Sequence, residues 1–242
     1  MSQAGIRTLK SKAPLSLLLS VTAAFLVLSS ACSSPAAKAK AELVRRGHEF
    51  SESAFLDQVK AGEAETVRLF LAAGISPDTG DKGYAAILEA TRRGHEKTAL
   101  ELIEAGARVD AKDPYGVTAL MFSFIAGSGD TALKLMEKGS DVNARDTDGR
   151  TALIEALATE NDIPTEVIRI LIGKGADVNV RIAGGITPLM IAVSYDPEIV
   201  RLLIAAGADV NARDENGTRV LRMSKDNPEN AKILKDAGAL ER

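Results

Sequence analysis

Few residues in this sequence could bind a metal ion or act as nucleophiles. It contains one cysteine, Cys32, and two histidines, His48 and His95. A zinc site usually needs four such ligands, and a cysteine or serine nucleophile needs a base beside it. Gly127 and Gly129 lack the lysine of a phosphate-binding loop. We therefore predict structural or solvated roles for both histidines, no catalytic residue, no metal, no cofactor and no enzyme activity.

Charged side chains recur at regular positions that we expect to be turns. The acids are Asp113, Asp146 and Asp214. The bases are Lys112, Arg145, Arg181 and Arg213. A turn carboxylate most simply accepts hydrogen bonds from its own backbone. For the bases two interpretations stay open: surface charge pairing of little energetic value, or a charged ridge that meets an acidic partner.

The overall composition limits the fold and the class of ligand. The 242 residues have a formal net charge of −3, only 4% aromatics and no tryptophan. A core with so few aromatics is built from Leu, Ile, Val and Ala, which suits thin helical layers. Nucleic-acid binding needs a basic face, so an acidic chain indicates that nucleic acid is not the ligand.

The N-terminal segment has the order typical of an export signal. Three basic residues lie within positions 1–12, and no charge occurs from Ala13 to Leu28. This apolar run is shorter than the ~20 residues that span a bilayer, and small residues follow it, as in a secretory signal peptide. Ordinary cleavage near Ala31 would leave Cys32 as a free thiol, which is the simpler alternative.

The residues Leu28 to Cys32, LSSAC, resemble the lipobox of bacterial lipoproteins, although Ser29 stands where that family prefers leucine. The resemblance implies that Cys32 is acylated and that the chain is held on a membrane by its N-terminal lipid. Ser33, rather than Asp, implies an outer-membrane lipoprotein facing the periplasm. We accordingly predict a lipoprotein signal peptide at 1–31, a lipidated cysteine and tether at 32–49, and a repeat domain at 50–242.

Two series of glycines share one period. Gly83, Gly116, Gly149, Gly185 and Gly217 recur in steps of 33, 33, 36 and 32 residues. A second series, with nearly the same steps, follows the predicted second helix of each unit: Gly74, Gly106, Gly139, Gly175, Gly207 and Gly238. A fixed period of this size indicates a stacked repeat array. We expect these glycines to supply left-handed residues at turns and helix ends.

Segments such as DTDGRTALIEAL and VRLLIAAGADVNAR resemble ankyrin repeats. The resemblance implies an all-α solenoid of about six helix-turn-helix units joined by hairpin-like turns: roughly 50–80, 81–112, 113–145, 146–181, 182–213 and 214–242. Thr118, Thr151 and Thr187 are expected to cap first helices. The fourth unit carries three extra residues, which we place within 159–165. The histidine usual in the family is replaced by Leu88, Met121, Ile154, Met190 and Leu221, so we expect apolar packing there.

The resemblance implies a non-catalytic scaffold that binds another protein. Two alternatives are an immunity or inhibitor protein that neutralises a toxin or enzyme, and an accessory factor in envelope peroxide defence. The candidate partner-binding residues are those expected on the concave groove and the turn tips: Tyr84, Glu89, Tyr115, Val117, Phe122, Arg150, Glu155, Ile186, Ile191 and Tyr195. If the helices were rotated, the same residues would instead pack between units.

Overall fold

The computed structural model describes residues 34–159, 163–194 and 196–241. The predicted signal peptide, Cys32 and Tyr195 therefore lie outside the described residues. No helix within the described residues is long and apolar enough to cross a membrane.

Thirteen α-helices and one short hairpin form the described part of the chain. The helices are α1 (Pro35–Arg45), α2 (Glu52–Ala61), α3 (Ala64–Ala72), α4 (Ala86–Arg92), α5 (Glu96–Glu104), α6 (Ala119–Ile125), α7 (Gly129–Glu137), α8 (Ala152–Ala158), α9 (Thr165–Gly173), α10 (Pro188–Ala192), α11 (Pro197–Ala205), α12 (Val220–Met223) and α13 (Pro228–Asp236). The hairpin pairs β1 (Gly80–Asp81) with β2 (Tyr84–Ala85) in antiparallel register, and a 3₁₀ turn covers Ala183–Gly185.

The helices stack in two rows. The even-numbered helices from α2 to α12 form one row, and the odd-numbered helices from α1 to α13 form the other, each helix packing on the next of its row. Within a unit the two helices also pack on each other. This arrangement confirms the predicted all-α solenoid.

Each helix of the odd-numbered row from α3 onward places one large apolar side chain, fully removed from solvent, at the same position: Phe70, Leu102, Leu135, Leu171, Leu203 and Leu234. Burial of such a side chain contributes about 1.5–3 kcal/mol. Leu88, Met121, Ile154 and Met190, at the family's histidine position, are also buried, whereas Leu221 is half-buried. Buried apolar side chains therefore take the place of the family's histidine at four of the five positions.

Backbone conformation at the glycines follows the sequence prediction. All members of both glycine series have positive φ, with Gly175 at +92° and Gly116 at +80°. The segment between α8 and α9 runs over 159–164, twice as long as the 126–128 segment between α6 and α7. The three extra residues of the fourth unit thus lie where predicted.

The predicted threonine caps form in two of three units. The hydroxyl groups of Thr118 and Thr187 accept hydrogen bonds from the backbone N–H groups of Met121 and Met190. The prediction for Thr151 is wrong, because its hydroxyl caps nothing and is buried with no hydrogen-bond partner. At this helix start only the backbone bond from Glu155 N–H to the Thr151 carbonyl is present, at 3.0 Å.

Residues 35–45 are not the tether that the sequence predicts at 32–49. They form α1, which packs on α3. Ser34 is the N-cap of this helix, and its hydroxyl accepts from the Ala37 N–H at 3.1 Å. Ala39 and Leu43 are buried there. Alanine and lysine both favour helix, and burial of Leu43 supplies the tertiary contact that a short helix needs.

Asparagine side chains link consecutive units. Asn143, Asn179 and Asn211 each donate from Nδ2 to a glycine carbonyl of the next unit, at 2.8, 2.9 and 3.4 Å. Their Oδ1 atoms accept from backbone N–H groups of that next unit, each at 2.8 Å. In the earlier units Asp78 and Asp110 make only the acceptor half of this contact.

Candidate partner-binding surface

The hairpin-like turns hold their tips rigidly. In the third unit one carboxylate oxygen of Asp113 accepts from the N–H groups of Tyr115 and Val117, at 2.9 and 2.8 Å. Asp146 and Asp214 accept two backbone hydrogen bonds each in the same way. This confirms the role expected for the turn acids. The backbone that presents Tyr115 is therefore fixed by its own turn.

The turn bases do not pair with the acids beside them. Arg145 lies 3.8 Å from Asp177 of the next unit. Arg181 donates to the Arg213 carbonyl at 2.8 Å, and Arg213 donates to the Gly217 carbonyl at 2.9 Å. These arginines thus hold turns together, and neither of the two sequence interpretations describes them fully.

An exposed apolar patch lies on the third unit. Tyr115, at the turn tip, is 64% exposed, and Ile125, at the end of α6, is 46% exposed. Val117 and Phe122 are half-buried and pack against the core. Phe122 and Ile125 are three residues apart and so share one side of α6. We call Tyr115, Val117, Phe122 and Ile125 the third-unit patch.

Ile125 was not among the sequence candidates. Its signal was present, since it follows Phe122 by three residues on the same helix. Exposed large apolar side chains are rare in the described residues, where Val44, Tyr115, Ile125 and Leu240 are the examples. Two of these four, Tyr115 and Ile125, belong to the third unit, which makes this unit the candidate for an interaction site.

In the fifth unit the candidates are less exposed. Ile186 and Ile191 are half-buried and pack against the hydrophobic core. Ile186 precedes α10, and Ile191 lies within it. They pack against the core while staying partly exposed, and their place on a partner-binding groove stays a prediction.

Glu89 is engaged within its own helix. It is only 6% exposed and accepts from Arg92 at 2.8 Å and Arg93 at 2.6 Å. Burial raises the pKa of Glu89, but the hydrogen bonds from the two arginines outweigh it, so its pKa lies below the ordinary value. The Arg92 guanidinium also lies over the Tyr84 ring, 5.6 Å from its centroid.

Glu155 is 8% exposed and forms an ion pair with Arg150. Arg150 Nη2 donates to Glu155 Oε2 at 3.0 Å, and this hydrogen bonding raises the pKa of Arg150. Arginines of the chain therefore occupy the carboxylates of Glu89 and Glu155, and the partner-binding role of these two residues stays a prediction. Arg92, Arg93 and Arg150 remain partly exposed at these positions.

A small cleft of about 190 Å³ lies beside these residues. Its lining is Leu56, Lys60, Asp81, Lys82, Tyr84 and Glu89. Lys82 and Gly83 form the two-residue hairpin loop, with φ of +50° and +84°. This is the double positive φ of the turn that matches strand twist, and it costs energy at a lysine. The sequence predicted a hairpin-like turn at Gly83, and in the structure this turn is a two-residue β-hairpin.

His95 has the structural role predicted from the sequence. Its Nε2 lies 3.0 Å from the carbonyl oxygen of Lys60 in the preceding unit. His48 lies edge-on to Phe70, with ring centroids 6.2 Å apart. Within the described ranges no group of three His, Cys, Asp or Glu side chains is arranged to hold a metal ion.

The family model for ankyrin repeats matches the chain in three copies, over residues 55–146 and 120–214. Together the matches run without a break from 55 to 214, more than half of the 242 residues. No curated protein of known function matches the sequence.

Proposed function

This chain belongs to the ankyrin-repeat family, and from that premise we propose that it is a protein-binding scaffold anchored to the bacterial cell envelope and facing the periplasm. Ankyrin repeats generally mediate binding to another protein and are generally non-catalytic. The observation that supports a partner site on this chain is the third-unit patch. The proposed membrane anchor of the chain is supported by the N-terminal sequence alone.

The third-unit patch has the composition of an interface centre. Tyr115 presents a rigid aromatic side chain on a turn held by Asp113, and Ile125 adds apolar area beside Phe122. Aromatic residues are enriched among the side chains that dominate binding energy. Arg92 in the second unit and Arg150 in the fourth flank the patch with polar groups, as the rim of an interface requires.

Site-specific photo-crosslinking tests this site in living cells. A photoreactive amino acid replaces Tyr115 or Ile125 of the full chain, and Leu240, which is 55% exposed on the last unit, serves as the control position. We expect a covalent protein adduct from 115 and 125 and none from 240. No adduct, or equal adducts from all three positions, would place the partner elsewhere.

The same experiment separates the alternatives. One adduct of fixed mass, formed in stoichiometric yield, favours an immunity or inhibitor protein, which needs a single tight partner. Several adducts favour a scaffold. Adducts that form only after peroxide treatment favour an accessory role in envelope defence.

The proposed anchor is an acylated Cys32 at the mature N-terminus, in the outer membrane because Ser33 follows it. The support is the order of basic residues, apolar run and small residues that ends at the only cysteine. Three acyl chains bind a bilayer firmly, since each buried methylene contributes about 0.8 kcal/mol. Mass spectrometry of the protein extracted from membranes measures the modification. A free thiol, or an N-terminus beyond Ser33, contradicts it.

A further inference from the structure

The helix α1 adds an extra member to the odd-numbered row of the array. It packs on α3, and Gly47, at φ +82°, follows Leu43 by four residues, as Gly74 follows Phe70. The backbone N–H of His48 donates to the Leu43 carbonyl at 2.9 Å, as that of Ile75 donates to the Phe70 carbonyl at 3.1 Å. The segment is thus half a repeat that covers the end of the stack.

Side chains fix α1 to the first unit. Leu43 is completely buried. The Lys40 ammonium lies over the Phe50 ring, 4.2 Å from its centroid, and Phe50 stacks on Phe70 with centroids 6.3 Å apart. The orientation of α1 relative to the array is therefore set by packing on one face.

The opposite face of α1 is basic and includes an exposed apolar residue. We call Lys38, Ala41, Val44 and Arg45 the α1 outer face. These residues share one side of the helix by their three- and four-residue spacing, and all four are exposed. Val44 is 67% exposed. Nothing within the described residues covers it.

Charge is divided unevenly between α1 and the rest of the chain. Four basic residues and one acid lie within 34–48, whereas 23 basic and 32 acidic residues follow residue 48. The single acid, Glu42, bonds to Arg45 and Arg46, and these hydrogen bonds lower its pKa to about 2. At neutral pH a cationic helix therefore joins a strongly acidic array.

Its sequence position brings α1 close to any anchor at Cys32. Only Ser33 separates Cys32 from Ser34, the N-cap of α1, and these two residue steps span at most roughly 7 Å. A helix attached so closely to a membrane-bound group cannot move far from the lipid headgroups.

We propose that the α1 outer face lies on an anionic phospholipid surface and holds the array in one orientation, with its acidic body directed away from the membrane. The proposal rests on the proposed anchor. Cationic side chains are attracted to anionic headgroups within about a Debye length, and Val44 can enter the interface between Lys38 and Arg45. An acidic array is repelled by the same surface, which favours contact through α1 alone.

The test compares the two ends of the array in the full chain, extracted from cell membranes and reconstituted in vesicles. Vesicles contain phosphatidylethanolamine with either phosphatidylglycerol or phosphatidylcholine, and a brominated lipid quenches fluorescence. Val44→Cys and Leu240→Cys place an environment-sensitive dye on exposed apolar positions of opposite ends. We expect at least a threefold stronger quenching at 44 than at 240 in phosphatidylglycerol vesicles, and loss of that difference in phosphatidylcholine vesicles.

A charge variant tests the cause. Lys38→Gln with Arg45→Gln should abolish the quenching at 44 while the protein still floats with the vesicles. Lys232→Gln with Lys235→Gln removes two cations from α13 at the other end and should leave the quenching at 44 unchanged. Equal quenching at 44 and 240 overturns the proposal. Quenching at 44 that needs no anionic lipid overturns it as well, because the contact would then not depend on charge.

A chain that is not acylated at Cys32 is recognised by a separate measurement, the uptake of dye by the protein without an added cysteine. If Cys32 is acylated, the chain without an added cysteine takes up no dye. Dye uptake by that chain contradicts the anchor, whereas the α1 proposal is still decided by the difference between positions 44 and 240 above this background.

Discussion

The amide of Asn179 donates to the carbonyl oxygen of Gly207 at 2.9 Å, which joins the fourth-unit turn to the helix end of the fifth unit. The Oδ1 atom of Asn179 accepts from the Asp209 N–H at 2.8 Å. Both partners lie in a loop whose glycine has positive φ. One side chain therefore links two units through residues that lie 28 and 30 positions away in the sequence.

Replacing Asn179 should weaken the array in proportion to the bonds lost. We expect Asn179→Ala to lower the free energy of unfolding by about 1–2 kcal/mol, since two hydrogen bonds disappear. Asn179→Asp should cost less, because Asp110 makes the acceptor half of the same contact at its own position. Asn216→Ala, at an exposed turn tip, is the control and should change stability by within about 0.5 kcal/mol. Urea unfolding ranks the three, and an aspartate variant as unstable as the alanine variant would contradict this assignment.

Two glycines of the fourth unit should respond to alanine with opposite signs. Gly175 has φ of +92°, whereas Gly173 is the last helical residue of α9, and an added Cβ meets nothing within 4 Å at either position. Gly175→Ala should destabilise by about 1 kcal/mol, because alanine avoids the left-handed region. Gly173→Ala should stabilise by about 0.4–1 kcal/mol through its higher helix propensity. Thermal melts measure both, and a shift of the same sign in the two variants would mean that α9 ends elsewhere.

The Glu89 cluster should make stability depend on pH. The folded pKa of Glu89 lies below its ordinary value of 4.5, so its ion pairs stabilise the fold above pH 4.5 and this contribution is lost as the pH falls through the folded pKa. Glu89→Gln should therefore lower the free energy of unfolding at pH 7 by about 1 kcal/mol, measured by thermal melts. The difference in stability between the variant and the unchanged protein should disappear in acid.

Glu65→Gln serves as the matched control for this pH series. It removes an exposed pair with Arg68, and surface pairs of this kind contribute within about 1 kcal/mol and often nothing measurable. Its melting curve should follow that of the unchanged protein at both pH values. A Glu89→Gln gap that persists undiminished in acid would show that the carboxylate acts through packing rather than through charge.

Adjacent residues of α1 should differ sharply in their effect on docking. Leu43→Ala removes a fully buried side chain, which costs about 2–5 kcal/mol in protein cores, and should open α1 before the rest of the array unfolds. Val44→Ala changes an exposed residue and should have little effect. Amide hydrogen exchange of residues 35–45 measures the opening. Unchanged protection in Leu43→Ala would mean that α1 does not depend on this contact.

Local patterns in the sequence were sufficient for the helices of the repeats and for the helix ends and turns that glycines mark. Gly116 and Gly175 mark turns and helix ends because positive φ is a constraint on one residue, independent of its surroundings. The apolar spacing in α9 and α11 reports a buried face for a similar reason, since a helix that repeats every 3.6 residues aligns such side chains by itself. The insertion in the fourth unit followed from a change of step between glycines.

The remaining features depend on residues far apart in the chain, and only the tertiary structure decided them. Residues 35–45 form a helix that packs on α3 and buries Leu43. The local sequence, rich in alanine and lysine, does not indicate this contact. The sequence did not show that Glu89 and Glu155 form ion pairs with arginines of the chain, because a long arginine side chain can equally extend into solvent. In the sequence, Asn179 resembles any other asparagine in a turn. Its bonds are to residues 28 and 30 positions further along the chain. Only the tertiary structure shows them, because a hydrogen bond between units requires both backbones to be in place.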